Sequence, residues 1–172
     1  MKHLLQAGIF LCLPAVFSSS DLALLAGKEQ PTKISTSSIQ VVMIQSDETP
    51  VPAEFKVALY ENLVRQLEKR GFQHVYREGD RNASSAADLI VLHSTVSSFK
   101  PGSEKAREVT TVAGATSISI HCQFTNSEGR PLLEQDVTGK VRFFGGNLRA
   151  TYDFAKKASR IAYENFSPTN GK

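Results

Sequence analysis

The clearest pattern along the chain is an alternation that runs from Thr116 to Phe143. Thr116, Ile118, Ile120, Cys122 and Phe124 share one parity while Ser117, Ser119, His121 and Gln123 share the other, which predicts a strand buried on one face. Asn126, Ser127, Glu128 and Gly129 follow with turn chemistry, Gly129 reaching positive φ at no steric cost. On the return, Leu133, Val137, Val141 and Phe143 oppose Glu134, Asp136, Thr138, Lys140 and Arg142, so the two segments predict a hairpin. Gln135 and Gly139 fall on the apolar parity, and a glycine there marks a bulge or a close crossing.

Other periods flank this hairpin. Val41, Val42, Met43 and Ile44, within Ile39 to Gln45, and Leu89 to Leu92, within Asp88 to Phe99, are short unbroken apolar runs of the kind found in strands covered on both faces. Between them, Pro50 and Pro52 open a helix on which Phe55, Leu59, Leu63 and Leu67 recur every fourth residue, with Val64 alongside and Glu54, Lys56, Glu61, Arg65, Glu68 and Lys69 facing outward. Gly71 stops it, with Lys69 and Arg70 in the last turn where cations suit the helix dipole. Phe72, His74, Val75 and Tyr76 predict a short strand, and Gly79 to Ala86 a polar loop that includes the glycosylation-type triplet Asn82, Ala83, Ser84. After Gly145 and Gly146, Asn147 is an expected N-cap for a closing helix with an inner face of Leu148, Thr151, Ala155, Ala158, Ala162 and Phe166, widened by Phe154 and Ile161. The order is strand, helix, three further strands, hairpin return strand, helix. It predicts an α+β domain over residues 39–166, with one mixed or antiparallel sheet of about five strands and both helices packed on it.

Composition changes this picture mainly at the N-terminus. Met1 to Ser20 has a basic start at Lys2, an apolar run from Leu4 to Phe17 and then three serines, the layout of a signal peptide cleaved after Ser20 or after Ala26. Asp21 to Ser38 has no sustained period and reads as an arm; residues 167–172 read as a tail. Phe10 and Leu11 are poor company for lipidation at Cys12. Removing the leader leaves 19 basic and 17 acidic residues, a net charge of +2, which argues against a dedicated nucleic-acid surface. It also leaves Cys122 as the lone cysteine, with an inward parity, so an internal disulfide and a cysteine-based metal site are both excluded for the processed chain. No apolar stretch after the leader is long enough for a transmembrane span.

Candidate chemistry is sparse. His3, His74, His93 and His121 show no metal-ligand spacing, and neither a Gly-x-Ser-x-Gly elbow nor a phosphate-binding glycine loop is present. Glu128, Glu134 and Asp136 flank a turn or sit on a polar strand face, where carboxylates are usually only solvated. Gly145 and Gly146 before a helix N-terminus could hold an anion, but a plain turn explains them better. No catalytic, cofactor-binding or metal-binding residue is therefore expected. The loop from Lys100 to Gly114 is the one functional candidate: Lys100, Lys105 and Arg107 carry three positive charges within eight residues, and Pro101, Gly102 and Ser103 shape the chain. It is read as a docking loop for an envelope protein or an anionic surface, weighed against an exposed connection whose charges keep it in water.

Four stretches carry a resemblance to a known family. Ala87 to Val91, Phe99 to Arg107 (Phe-Lys-Pro-Gly-Ser-Glu-Lys-Ala-Arg), Asn126 to Leu132, and Gly145-Gly146 before an alanine-rich helix resemble the pattern of the bacterial envelope family known as domain of unknown function 4410. The resemblance spans residues 39–166. It implies export to the periplasm or cell envelope, often as a lipoprotein, and an α+β layout; it implies no activity and no catalytic residues. The expectation is a non-enzymatic binding or assembly module, against which stand an exported hydrolase whose site is scattered in sequence and a small-ligand carrier.

Overall fold

The computed structural model describes residues 34–109, 114–141 and 146–168. The expected leader with Cys12 and His3, the arm up to residue 33, Arg142, Phe143, Gly145 and the tail beyond Pro168 lie outside the described residues. In chain order the elements are β1 (Ile34–Thr36), β2 (Ser38–Val41), α1 (Ala53–Lys69), β3 (His74–Arg77), a 3-10 turn (Arg81–Ser85), β4 (Ile90–Lys100), α2 (Glu104–Val109), β5 (Thr116–Asn126), β6 (Pro131–Val141), α3 (Arg149–Asn165) and β7 (Phe166–Pro168). The expected α+β order holds. Five strands form one mixed sheet in the order β3-β2-β4-β5-β6, in which β2 runs parallel to β3 and β4 while β5 is antiparallel to β4 and β6. Both long helices pack on one side of it and against each other.

The inner face follows the alternation. Ile39, Val41, Leu92, Ile118, Ile120, Cys122 and Phe124 are wholly buried beneath Leu59, Leu63 and Leu67 of α1 and Phe154, Ala155, Ala158 and Ala162 of α3. Small residues on α3 let it come close to β6. A Cβ on Gly139 would collide with the Ala150 carbonyl oxygen and would stand 2.7 Å from Phe154 Cβ, so this glycine is the expected close crossing rather than a bulge. Leu148 departs from expectation: as the N-cap residue it precedes the buried turns and is 44% exposed. Met43 also departs. β2 ends at Val41, and Met43 turns outward while its N–H donates to Glu78 Oε2 at 2.8 Å.

Two irregularities aim side chains. At Ser97 the β4–β5 register slips by one residue, and the hydroxyl of Ser97 donates to the Ser119 carbonyl at 3.1 Å. This bulge returns Phe99 to the inner face, where its ring meets Phe55 edge-on at 4.9 Å. The second irregularity is β1, three residues from the stretch read as an arm, which pairs in parallel with β7. Thr36 is buried and its hydroxyl donates to the Asp88 carbonyl at 2.6 Å, which fastens β1 to the start of β4; the Phe166 ring packs 5.2 Å from Phe124 and fastens β7 to the core.

Candidate functional site: the β4–β5 loop and the open face of the sheet

The loop is held at its stem by three residues far apart in sequence. The Gly102 N–H donates to Thr116 Oγ1 at 3.1 Å, that hydroxyl donates to Asn147 Oδ1 at 2.7 Å, and Asn147 Nδ2 returns to the Gly102 carbonyl at 3.4 Å. Ser103 N–H adds a bond to the Gly114 carbonyl at 3.1 Å. Asn147 was expected to cap α3. Instead its side chain is committed to the loop, and α3 starts at Arg149 behind Leu148, which supplies no side-chain cap. Gly102 is required by the same contact, since a Cβ there would sit 2.6 Å from Thr116 N.

Of the six residues read as a docking loop, Lys100 closes β4 opposite Ser117, and Lys100, Pro101, Ser103 and Lys105 are exposed. Gly102 is half-buried in the stem, Ser103 Oγ accepts from the Ala106 N–H at 3.3 Å, and Arg107 lies in α2. Six residues of the expected loop are thus a short helix. Lys100, Pro101, Gly102, Ser103 and Ala106 line a shallow cleft of about 470 Å³ with Gly114 and Ala115. It offers one flexible ammonium and backbone groups, enough to grip a polar segment and too little for acid–base chemistry.

The sheet face turned away from the helices is polar. Ser119 and Thr138 hydroxyls share a bond of 3.0 Å, Gln123 Nε2 donates to Glu134 Oε1 at 2.6 Å, and His121 Nδ1 lies 2.9 Å from Asp136 Oδ1. The histidine–carboxylate contact was missed in sequence: a one-residue register shift between Phe124 and Thr125 is what sets His121 opposite Asp136. His121 Nε2 faces a second carboxylate, Glu134, at 3.9 Å, and the ring is 44% exposed. A general base needs one ring nitrogen aimed at a substrate proton in a site that excludes water, whereas both nitrogens here look at acids on an open surface. On an open strand face the group reads as cross-strand pairing.

Cys122 sits on the opposite face, fully buried. Burial pushes its thiol up to about 12, with the neighbouring Ser94 hydroxyl opposing and the Asp136 charge adding to the rise. The thiolate, which is the nucleophile, is therefore suppressed. Among the described residues no group of three or more His, Cys, Asp or Glu is placed to hold a metal ion, and no described helix is long and apolar enough to cross a membrane.

With this geometry in place, the chain can be set beside known proteins. No family model matches the sequence, and no curated protein does. Among solved structures it is similar to the PelC dodecamer from Paraburkholderia phytofirmans, in a single-substitution form, with a TM-score of 0.58 at 12% identity over 78% of this chain and 92% of that one. A second PelC dodecamer structure from the same organism gives 0.55 at 15% identity, covering 70% and 84%. A Xanthomonas campestris protein of domain-of-unknown-function family 330 gives 0.46 at 15% identity over 78% and 83%, too distant to carry weight. The two PelC likenesses define the class of fold: an α+β layer of two helices on a mixed sheet.

Proposed function

We propose that this chain is a non-catalytic module of a bacterial cell envelope that acts by assembly, in the first place with copies of itself. The observation that carries the reading is the exposed apolar start of α3. Leu148 and Tyr152 stand one turn apart, 44% and 47% exposed, on an element whose opposite face is buried. Exposed large apolar side chains side by side on a rigid helix are the anchors protein interfaces use. The likeness in fold to a protein that forms a dodecamer supports self-association as the first assembly to look for. The leader-like Met1 to Ser20 supports export, and the Phe99 to Arg107 stretch supports kinship with the domain of unknown function 4410 family.

Sedimentation of the purified chain tests the assembly. Oligomers are expected at micromolar concentration, reduced to monomers by Leu148→Glu combined with Tyr152→Glu; a wild-type chain that stays monomeric at about 100 μM removes the reading. Fusing residues 1–26 to a reporter that is active only outside the cytoplasm tests export, and a silent fusion rejects it.

A further inference from the structure

A cleft of about 290 Å³ lies where the end of α1 passes α3, lined by Arg70, Asp153, Lys156, Lys157 and Arg160. Four cations face one carboxylate, and that carboxylate is already engaged. Asp153 Oδ2 accepts from Lys157 Nζ at 2.6 Å and from the Lys140 N–H at 2.9 Å. Lys157 also donates to the Thr138 carbonyl at 2.9 Å, so two acceptors on the scaffold fix its ammonium and one of its three donors remains. Arg160 Nε leans towards Glu164 at 3.6 Å, an exposed pair that a better acceptor can displace. Among the described residues neither Arg70 nor Lys156 has an acidic partner.

Local structure does not account for this arrangement. Arg70 suits the negative end of α1, but no basic residue of α3 falls in its last turn, so the dipole does not call for Lys156 or Arg160. Those two are four residues apart on one helix, where like charges repel and weaken the helix. The cleft carries a net +3, equal to the formal charge of the whole chain, so the remaining residues sum to zero. Guanidinium forks and ammonium groups converging from two elements suit a group with more than two acceptor oxygens and up to two negative charges. A carboxylate has too few oxygens to engage them all, and the volume sits at the small end of ligand sites.

We propose that the α1–α3 cleft binds a phosphate group, either inorganic phosphate or the phosphate of an anionic lipid headgroup. Lys157 would hold it from the floor, with Arg70 and the Lys156–Arg160 pair closing on it from the two helices. The site is independent of the assembly reading, since neither Leu148 nor Tyr152 lines it. The test is made on the full chain. Calorimetry with inorganic phosphate at constant ionic strength reports the free anion; co-sedimentation with phosphatidic acid vesicles, against phosphatidylcholine vesicles, reports the headgroup. Binding in either arm supports the site and names its source. Lys156→Gln with Arg160→Gln should weaken that binding at least tenfold, and Arg70→Gln, on the other helix, should weaken it as well. Arg65→Gln with Arg81→Gln removes the same charge from exposed positions outside the cleft and should leave it unchanged. Absence of binding in both arms, or an equal loss in this control variant, overturns the proposal.

Discussion

Replacing Gly139 with alanine should be the most damaging single-methyl addition among the described glycines of β6 and the β5–β6 turn. The new Cβ meets the Ala150 carbonyl oxygen, Phe154 Cβ at 2.7 Å and Phe154 N at 2.9 Å. Two of these are backbone atoms of α3, so no rotamer change relieves the contact. Carbon pairs rest at about 3.5–4.0 Å, so α3 must retreat by about 1 Å, and gaps of that size forfeit a quarter to a half of each contact's attraction. The retreat opens space around Phe154, Ala155 and Ala158, all fully buried. Overpacking costs about 1–3 kcal/mol, and the rigid neighbours place this site near 3 kcal/mol. For a domain of this size that lowers Tm by about 10 °C. Gly129→Ala is the control: its φ is +80 with nothing within 4 Å, so it bears only backbone strain, about 1–2 kcal/mol. Thermal and urea unfolding of the two variants decide the matter. If Gly139→Ala melts within about 2 °C of wild type, or above Gly129→Ala, α3 does not rest on β6 as described.

Three further outcomes follow from the same contacts. Thr116→Val removes the hydroxyl between Gly102 and Asn147 and should cost about 1–3 kcal/mol while speeding tryptic cleavage at Lys100 and Lys105; an unchanged digestion pattern refutes the stem. Cys122, its thiol pushed up to about 12 from 9.0, should resist alkylation at pH 8 until the chain unfolds. Because the folded value is the higher one, its contribution is complete below pH 9 and declines towards pH 12, by about 1.4 kcal/mol per pH unit. Cys122→Ala should flatten that alkaline decline, and an identical slope refutes the burial argument. Glu61 is held below its ordinary value first by the hydrogen bond from Arg77, whose guanidinium meets it fork to fork at 2.5 and 2.9 Å. A double-mutant cycle with Glu61→Gln and Arg77→Gln should give a coupling of at most about 1 kcal/mol at pH 7, since both groups are exposed. The coupling is present above pH 4.5 and should vanish as the solution is acidified through the lowered value; a coupling that survives strong acid contradicts it.

What sequence could reveal was set by the range of each interaction. The period of β5 and β6 and the four-residue spacing on α1 are local, and they place most of the core, including Cys122 and the crossing at Gly139. The His121–Asp136 contact is not set by the turn alone: the register beside the turn, Thr125 opposite Pro131, would bring His121 to Gln135, and a one-residue shift between Phe124 and Thr125 moves it to Asp136. The bulge at Ser97 adds one residue without altering composition, and β1 and β7 are three residues each, too short to show a period. Asn147 looked like a cap because caps are read from neighbours, whereas its side chain answers to Gly102 and Thr116. Arg70 meets Lys156 and Arg160 only through the packing of α1 on α3, so spacing along the chain carries no trace of the cleft.

The small parallel ladder of β1 and β7 has a mechanical consequence. Ile34 lies beside Phe166 and Thr36 beside Pro168, so the chain enters this pair at one end and leaves it at the other. Tension applied across the two ends of the domain therefore pulls the strands past each other, loading the ladder in shear instead of peeling it open bond by bond. Thr36 on Asp88 and Phe166 on Phe124 join both strands to the sheet, so a tether on one side and a pull from the other would meet this clasp before the core.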